Sequence, residues 1–162
     1  MALLSKTEFY QQTLAQVNAL IMDETDLIAN MANISALLFD ALEQVNWLGF
    51  YRVHDQELVL GPFQGKVACI RIPLGKGVCG TAVTDASTQR ISDVHQFQGH
   101  IACDASTNSE IVIPVKLNND IIAVLDIDST AFSRFDQDDQ QGLEAIVAAL
   151  EDNLAVQQTA GY

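Results

Sequence analysis

Basic residues are scarce in this chain of 162 residues, where eight lysines and arginines face 21 aspartates and glutamates. The formal net charge is −13, so nucleic acids and anionic membrane surfaces would repel the protein. We expect neither as its main partner. The apolar runs are far shorter than a membrane-spanning helix, and the first residues lack the basic start and apolar stretch of a signal peptide. We therefore expect a cytoplasmic protein.

Cysteine is also rare, and none of the three present lies in a CxxC motif: Cys69, Cys79 and Cys103. An odd number cannot pair completely within one chain. In a reducing compartment, thiols are usually buried core residues, metal ligands or redox groups. A zinc site that combines the cysteines with His95 or His100 is a weak alternative, because the spacing matches no common zinc motif. We interpret these two histidines and His54 as surface-loop residues, not as catalytic bases.

Hydrophobic periodicity predicts helices at both ends of the chain and strands between them. The four expected helices span residues 6–20, 24–43, 78–85 and 136–155. The five strands expected from alternation span residues 46–53, 57–63, 67–73, 109–117 and 121–129. Asp23 or Thr25 would cap the second helix. We expect a single α+β domain over residues 1–162, with a core of about residues 24–155 and a mainly antiparallel sheet.

The first strand carries two aromatic residues around a glycine. Alternation places Trp47, Gly49 and Tyr51 on one face, so the two rings would leave a hollow with flat walls. Such a hollow suits a small ligand. The same rings could equally belong to the core, because large aromatic side chains dominate protein interiors. The spacing leaves both interpretations open.

Acidic residues interrupt the apolar pattern of the last strand. Ile122 and Val124 begin one of its faces, and Asp126 and Asp128 complete that face. Acids on a central strand are costly unless they are hydrated or paired. A strand end that emerges into solvent at Ser129 would be the simpler explanation.

The register of the preceding hairpin decides whether Glu110 joins these acids. With a two-residue loop at 118–119, Glu110 would lie opposite Ile127 and point away from them. With a three-residue loop at 118–120, or with a compensating bulge, it would lie opposite Asp128. Only the latter arrangement clusters three carboxylates with raised, coupled pKa values, suited to holding a proton or binding an ammonium.

A glycine-rich run at residues 75–80, GKGVCG, matches the pattern GxGxxG after a strand. The pattern alone is weak evidence for a dinucleotide site. The chain lacks repeating βαβ units, and its acidic surroundings do not suit a pyrophosphate. We interpret the glycines as tight turns at the mouth of a pocket. No nucleophile-elbow pattern supports a Ser-His-Asp hydrolase either.

Four segments resemble the free methionine-(R)-sulfoxide reductases, single GAF-domain enzymes that reduce the free amino acid and not methionine sulfoxide within proteins. They are NWLGFY at 46–51, LGPFQG at 60–65, GKGVCG at 75–80 and VLDIDS at 124–129. The resemblance extends from about residue 7 to about residue 157. The last two segments alone would indicate only a GAF domain. The cysteine spacing, together with Trp47 and Tyr51, is specific to the enzymes.

This resemblance implies a six-stranded antiparallel GAF sheet with the N- and C-terminal helices packed on one face, usually as a homodimer. Cys103 corresponds to the nucleophile, Cys69 to the main resolving cysteine, and Cys79 to a third cysteine with a role in recycling. No metal or organic cofactor is expected. Electrons would come from thioredoxin.

The resemblance also implies a binding site for the substrate. Trp47 and Tyr51 match the aromatic wall around its methyl group. Glu110, Asp126 and Asp128 match the carboxylates that hold its amine, and Glu110 and Asp128 would also manage the proton at the sulfoxide oxygen. We therefore predict an oxidoreductase that reduces free L-methionine (R)-S-oxide through a cysteine sulfenic acid and an intramolecular disulfide.

Two other classes of protein remain open. One is a GAF domain that senses a small ligand without catalysis, since this fold mostly serves sensing and a fold does not fix function. The other is a thiol redox switch, which would need the cysteines but not the carboxylates.

Overall fold

The computed structural model describes residues 3–160, which form an α+β fold. The helices are α1 (Lys6–Ile21), α2 (Leu27–Ala41), α3 (Gly77–Asp85) and α4 (Gln137–Ala160). The strands are β1 (Val45–His54), β2 (Glu57–Gly65), β3 (Arg71–Pro73), β4 (Gln89–Ile91), β5 (Ser109–Leu117) and β6 (Asp120–Ser129). They form one six-stranded sheet in the order β3-β2-β1-β6-β5-β4, and every neighbouring pair is antiparallel. The expected fold class is confirmed.

Helices α1, α2 and α4 lie on one side of the sheet. Helices α2 and α4 pack directly on the strands, whereas α1 packs mainly on α4. The buried carboxylate of Asp139, in the first turn of α4, accepts hydrogen bonds from Tyr10 Oη at 2.8 Å and Lys6 Nζ at 2.7 Å. These bonds fasten α1 to the helix beneath it. Within residues 3–160, no helix is both long and apolar enough to cross a membrane.

The opposite side of the sheet is covered by α3 and by the loops that flank it. A second apolar cluster fills this side, separate from the core beneath the helices. Its buried members are Trp47, Tyr51, Leu58, Ile72, Val78, Cys79, Ala82, Val112 and Val124. The sheet therefore has two buried faces, and the candidate site lies on the face covered by α3.

The hairpin between β5 and β6 combines a short turn with a bulge. The turn residues Asn118 and Asn119 have positive φ angles of 53° and 69°, and Leu117 pairs with Asp120. The loop therefore has two residues, which rules out the three-residue alternative. Between the pairs that follow, β6 contributes one extra residue, Ile122, which shifts the register by one position.

This bulge has a direct consequence for the acidic residues. Glu110 lies opposite Asp128, and Val112 lies opposite Asp126, so the arrangement with a compensating bulge is confirmed. The bulge also turns Ile122 toward the core beneath the helices, although simple alternation placed it on the same face as the aspartates. One inserted residue therefore brings three carboxylates to a single face.

The sequence-based boundaries were wrong at three places. Of the strand expected at 67–73, only β3 forms, because the chain before Arg71 is a loop that contains Cys69. Strand β4, which pairs with β5 at the sheet edge, was not predicted because three residues are too few to show a period of two. Helix α2 begins at Leu27 and is capped by Asp26, whose carboxylate accepts a hydrogen bond from Ala29 N at 2.8 Å. Neither expected cap lies close enough to the first turn.

Candidate active site

Three carboxylates form the floor of a pocket on the α3 side of the sheet. Glu110 and Asp126 are each only 6% exposed, and Asp128 is half-buried beside them. Burial raises the pKa of Glu110 well above its usual range, and the charge of Asp128 adds to the effect. Burial also raises the pKa of Asp126, and the charge of Glu110 raises it further. The pKa of Asp128 is raised by burial and by the charge of Asp126. The floor is thus disposed to hold protons.

One oxygen in this floor lacks a partner. Asp126 Oδ1 is buried and accepts no hydrogen bond from the described residues. Buried polar atoms are rarely left unsatisfied, because the loss of hydration costs about 1–3 kcal/mol. Asp126 lines the cavity, so a cationic or hydrogen-bonding ligand there could satisfy this oxygen.

The thiol of Cys79 lies against the same floor. Helix α3 directs its Sγ to within 4.0 Å of Glu110 Oε1. Burial raises the pKa of this thiol well above its usual range, and the charges of Asp126 and Glu110 act in the same direction. Cys79 is free and buried, and we expect its thiol to be neutral at physiological pH.

The other two cysteines are joined to each other. Cys69 and Cys103 form a disulfide across two loops that meet over the floor, with their Cα atoms 5.6 Å apart. Cys69 is half-buried, whereas Cys103 is exposed to solvent. Sulfurs in a disulfide cannot serve as thiolate ligands. The zinc site that would use all three cysteines is therefore not formed in this arrangement.

The aromatic residues of β1 form one wall of the pocket and also hold the loop that carries Cys69. The rings of Trp47 and Tyr51 stack with their centroids 5.7 Å apart. Trp47 Nε1 donates a hydrogen bond to the Lys66 carbonyl at 3.1 Å, and Tyr51 Oη donates one to the Cys69 carbonyl at 2.9 Å. Both rings are buried and line the cavity, so they belong to the core and to the pocket at once.

The hollow expected beside Gly49 is already filled. Phe63 of β2 stacks on Trp47 with a centroid distance of 5.3 Å. A Cβ atom on Gly49 would overlap Phe63 Cβ and approach the Pro62 carbonyl oxygen to 2.8 Å. The glycine therefore makes room for a neighbouring ring and not for a ligand. The open space lies beyond the rings, toward the carboxylates.

The glycine-rich run forms the turn that leads into α3. Gly75 and Gly77 have positive φ angles of 78° and 62°, which glycine adopts without strain. A Cβ atom on Gly80 would lie 2.7 Å from the Pro73 carbonyl oxygen, so this glycine lets α3 pack closely on β3. The interpretation as tight turns at a pocket mouth is confirmed for Gly75 and Gly77, of which Gly77 lines the cavity, whereas Gly80 lies within α3.

His100 corrects one prediction about the histidines. Its Nε2 lies 3.6 Å from Glu110 Oε2, and its side chain is only 15% exposed. Burial lowers the pKa of His100. The prediction of a surface position fails because the loop after the 3₁₀ turn at Val94–Gln96 folds back over the sheet. A lone histidine in a loop carries no periodicity that would show this. His54 and His95 are exposed, as expected.

Sequence analysis missed further polar groups around the pocket. Asn46 Nδ2 donates hydrogen bonds to Asp104 Oδ2 at 3.2 Å and Thr107 Oγ1 at 3.1 Å, and so fastens the loop of Cys103 to β1. Lys66 and Lys76 supply positive charge to the cavity lining. With the disulfide formed, the cavity has a volume of about 40 Å³, which is room for a few water molecules.

Comparison with known proteins identifies relatives of this chain. The family described as "GAF domain" matches residues 23–155. A protein of Escherichia coli (strain K12) described as a free methionine-R-sulfoxide reductase is 59% identical, over 94% of this chain and 92% of its own length.

Solved structures show the same similarity. The reduced form of Staphylococcus aureus fRMsr has 55% identity and a TM-score of 0.88, over 90% of this chain and 95% of that one. The free methionine-R-sulfoxide reductase of Neisseria meningitidis in complex with its substrate has 40% identity and a TM-score of 0.92, over 99% of this chain and 96% of that one. The similarity in structure extends over nearly the whole chain.

The buried floor predicts a pH-dependent effect of Asp126→Asn on stability. A raised pKa in the folded state means that folding favours the protonated acid. That contribution is complete below the pKa of an unfolded aspartate, about 3.9, and is lost as pH rises through the folded pKa. Because asparagine cannot ionise, the variant should unfold at a higher temperature than the native protein at alkaline pH, with a gain of at least about 1 kcal/mol that shrinks toward acidic pH.

Thermal unfolding followed by circular dichroism between pH of about 5 and about 9 tests this expectation. Asp152→Asn, at an exposed position on α4, is the matched control and should change stability little at any pH. A loss of stability in Asp126→Asn that is constant across this range would contradict the argument.

Proposed function

The chain belongs to the GAF-domain family and, within it, to the free methionine-(R)-sulfoxide reductases, and on this premise we propose that it reduces free L-methionine (R)-S-oxide to L-methionine. One observation carries the proposal: a cysteine pair in a disulfide lies over a buried floor of three carboxylates. A ligand sensor would need no cysteine pair, and a thiol switch would need no acidic floor. Their combination in one cavity favours the reductase.

The floor supports an assignment for the amino group of the substrate. A free amino acid carries an ammonium, which the acids Glu110, Asp126 and Asp128 would bind, and Asp126 Oδ1 has no other partner among the described residues. The methyl group would lie against Trp47 and Tyr51. The α-carboxylate would face the lysines of the cavity lining and the N-terminal turn of α3, where unpaired backbone N–H groups favour an anion.

The first chemical step transfers oxygen to a cysteine. We assign Cys103 as the nucleophile because this residue is exposed and lines the cavity, where its thiol could reach a bound sulfoxide. Its thiolate attacks the sulfoxide sulfur, while a carboxylic acid, Glu110 or Asp128, protonates the oxygen. The hydroxyl group then passes to the Cys103 sulfur as the new sulfur–sulfur bond breaks, so the sulfoxide is reduced to the thioether and Cys103 is oxidised to a sulfenic acid.

The acidic floor has opposing effects on this step. Nearby carboxylates disfavour a thiolate, which would slow the attack. The bound ammonium offsets their charge, so the nucleophile is best activated when the substrate is present. The raised pKa of the floor then keeps a proton available for the sulfoxide oxygen.

The second step forms the disulfide. The Cys69 thiol attacks the sulfur of the Cys103 sulfenic acid, and the hydroxyl group leaves as water. The hydrogen bond from Tyr51 to the Cys69 carbonyl holds the attacking residue near its target. The disulfide leaves no thiol on Cys103, so it must be reduced before the next turnover.

We assign reduction of the disulfide to thioredoxin. A dithiol protein would attack the exposed Cys103 sulfur, release Cys69 as a thiol, and become oxidised to its own disulfide. Three apolar side chains near the disulfide support a protein partner: Val67 is 91% exposed, Ile70 68% and Ile101 36%. Cys79 could exchange with this disulfide during recycling, although its thiol is buried.

We further propose a cytoplasmic homodimer. A cytoplasmic location agrees with a chemistry that needs a thiol reductant. The helical side of the sheet exposes Leu20, Met22 and Ile28 around the junction of α1 and α2, and a second copy of the chain could cover this apolar surface.

The ammonium assignment predicts strict selectivity for the free amino acid. The R-epimer of free methionine sulfoxide should be reduced, and the N-acetylated R-epimer should have a kcat/KM at least about 100-fold lower, because its uncharged amide leaves the floor unpaired. Methionine formation with a dithiol reductant is the measurement. The free S-epimer serves as the stereochemical control and should not be reduced. Comparable turnover of the acetylated substrate would contradict the assignment.

The order of the thiol steps predicts different outcomes for the three cysteine variants. Cys103→Ser should release no methionine in a single turnover. Cys69→Ser should release about one methionine per chain and then stall with thioredoxin, since the sulfenic acid forms before it is resolved. Cys79→Ser is the matched control and should retain the single turnover. A burst of methionine from Cys103→Ser would reassign the nucleophile.

A further inference from the structure

Cys79 has no part in the oxygen transfer proposed for the other two cysteines. It remains free when they are joined, and its buried thiol is directed at the acidic floor. One donor atom from each of Cys79, Glu110 and Asp126 lies within 4.8 Å of the others. The chain thus gathers one sulfur and two carboxylate oxygens around a single point.

The unpaired oxygen of Asp126 is a second sign that this point receives a ligand. Asp126 is 6% exposed, and its Oδ1 has no hydrogen-bond partner among the described residues. An ammonium would satisfy this oxygen but does not account for a thiol directed at the same place. Zinc and related thiophilic cations bind both thiolate and carboxylate ligands, whereas Mg²⁺ and Ca²⁺ prefer oxygen alone.

The spacing also fits such a cation. In a tetrahedral zinc site, sulfur and oxygen ligands at their usual bond lengths lie about 3.6 Å apart. Cys79 Sγ and Glu110 Oε1 are separated by 4.0 Å, so a small side-chain rotation would bring both into coordination. His100 Nε2 lies 3.6 Å from the other oxygen of Glu110 and can orient that carboxylate. The cavity leaves room for water as the fourth ligand.

We propose that Cys79, Glu110 and Asp126 form an inhibitory site for a thiophilic divalent cation of the Zn²⁺ class. The cation occupies the end of the cavity assigned to the substrate's ammonium, so the two exclude each other. The metal site rests on the cluster and on the unpaired oxygen of Asp126. The competition with substrate rests additionally on the proposed function.

The metal site can be tested in the oxidised protein, where the disulfide leaves Cys79 as the only thiol. Titration with Cd²⁺, a spectroscopic substitute for Zn²⁺, should produce a sulfur-to-metal charge-transfer band in the ultraviolet that saturates at one ion per chain. Zn²⁺ should abolish the band and Mg²⁺ should not. Cys79→Ser should lack the band, and Asp126→Asn should weaken Cd²⁺ binding at least about tenfold. Asp152→Asn is the matched control and should bind like the native protein.

The absence of a band in the native protein, or an equal affinity in folded Asp126→Asn, would overturn the site. The second of these remains decisive if Cys79→Ser fails to fold. A band that persists in folded Cys79→Ser would also overturn it.

Competition is tested in Cys69→Ser/Cys103→Ser, whose only remaining thiol is Cys79. Free methionine (R)-sulfoxide should displace Cd²⁺ from this protein and remove the band. A Cys79-dependent band that the substrate cannot displace would overturn the competition while leaving the metal site intact. Because turnover is not required, loss of the metal site and loss of the proposed function give different results.

Discussion

The pairing register of β5 with β6 is the constraint on which the candidate site depends. A bulge at Ile122 places Glu110 opposite Asp128 and brings three acids to one buried face. Without it, Glu110 would point into the apolar core beneath the helices, where an unpaired charge would cost several kcal/mol. The acids lie instead on the face that contains the cavity, which lysines also line. Among the described residues, no buried cation is paired with these acids. Its electrostatic balance must therefore come from protons or from a ligand.

The pocket separates two kinds of chemistry. In the proposed mechanism, protons and a cation bind at the floor, where burial raises the pKa of Glu110, Asp126 and Asp128. In the proposed mechanism, electron transfer takes place at the mouth of the pocket, where Cys103 is exposed. Trp47 and Tyr51 connect the two levels, because their rings line the cavity and their polar atoms hold the loop of Cys69. The same hydrogen bonds therefore serve both stability and the placement of Cys69, the proposed resolving cysteine.

Hydrophobic alternation was sufficient to predict the long strands from the sequence. The features that it could not predict depend on tertiary contacts. Alternation correctly placed Trp47 and Tyr51 on one face of β1. Leu48 and Phe50 lie on the other face, in the apolar core beneath the helices. The position of Glu110 remained open because a bulge has no signature in hydrophobic alternation. His100 and Phe63 reach the site through a folded loop and a neighbouring strand, and no local period encodes such contacts. The resemblance to a known family supplied the sixth strand, which was too short to recognise by itself.

The central claim is that the floor holds protons until a cation arrives. Calorimetric titration of Cys103→Ser with free L-methionine (R)-S-oxide, in two buffers of different ionisation enthalpy, measures the protons exchanged on binding. An ammonium that enters a partly protonated cluster should favour carboxylate ionisation, so the account predicts the release of up to about one proton per chain near neutral pH. Binding without proton exchange, or with net proton uptake, would contradict it.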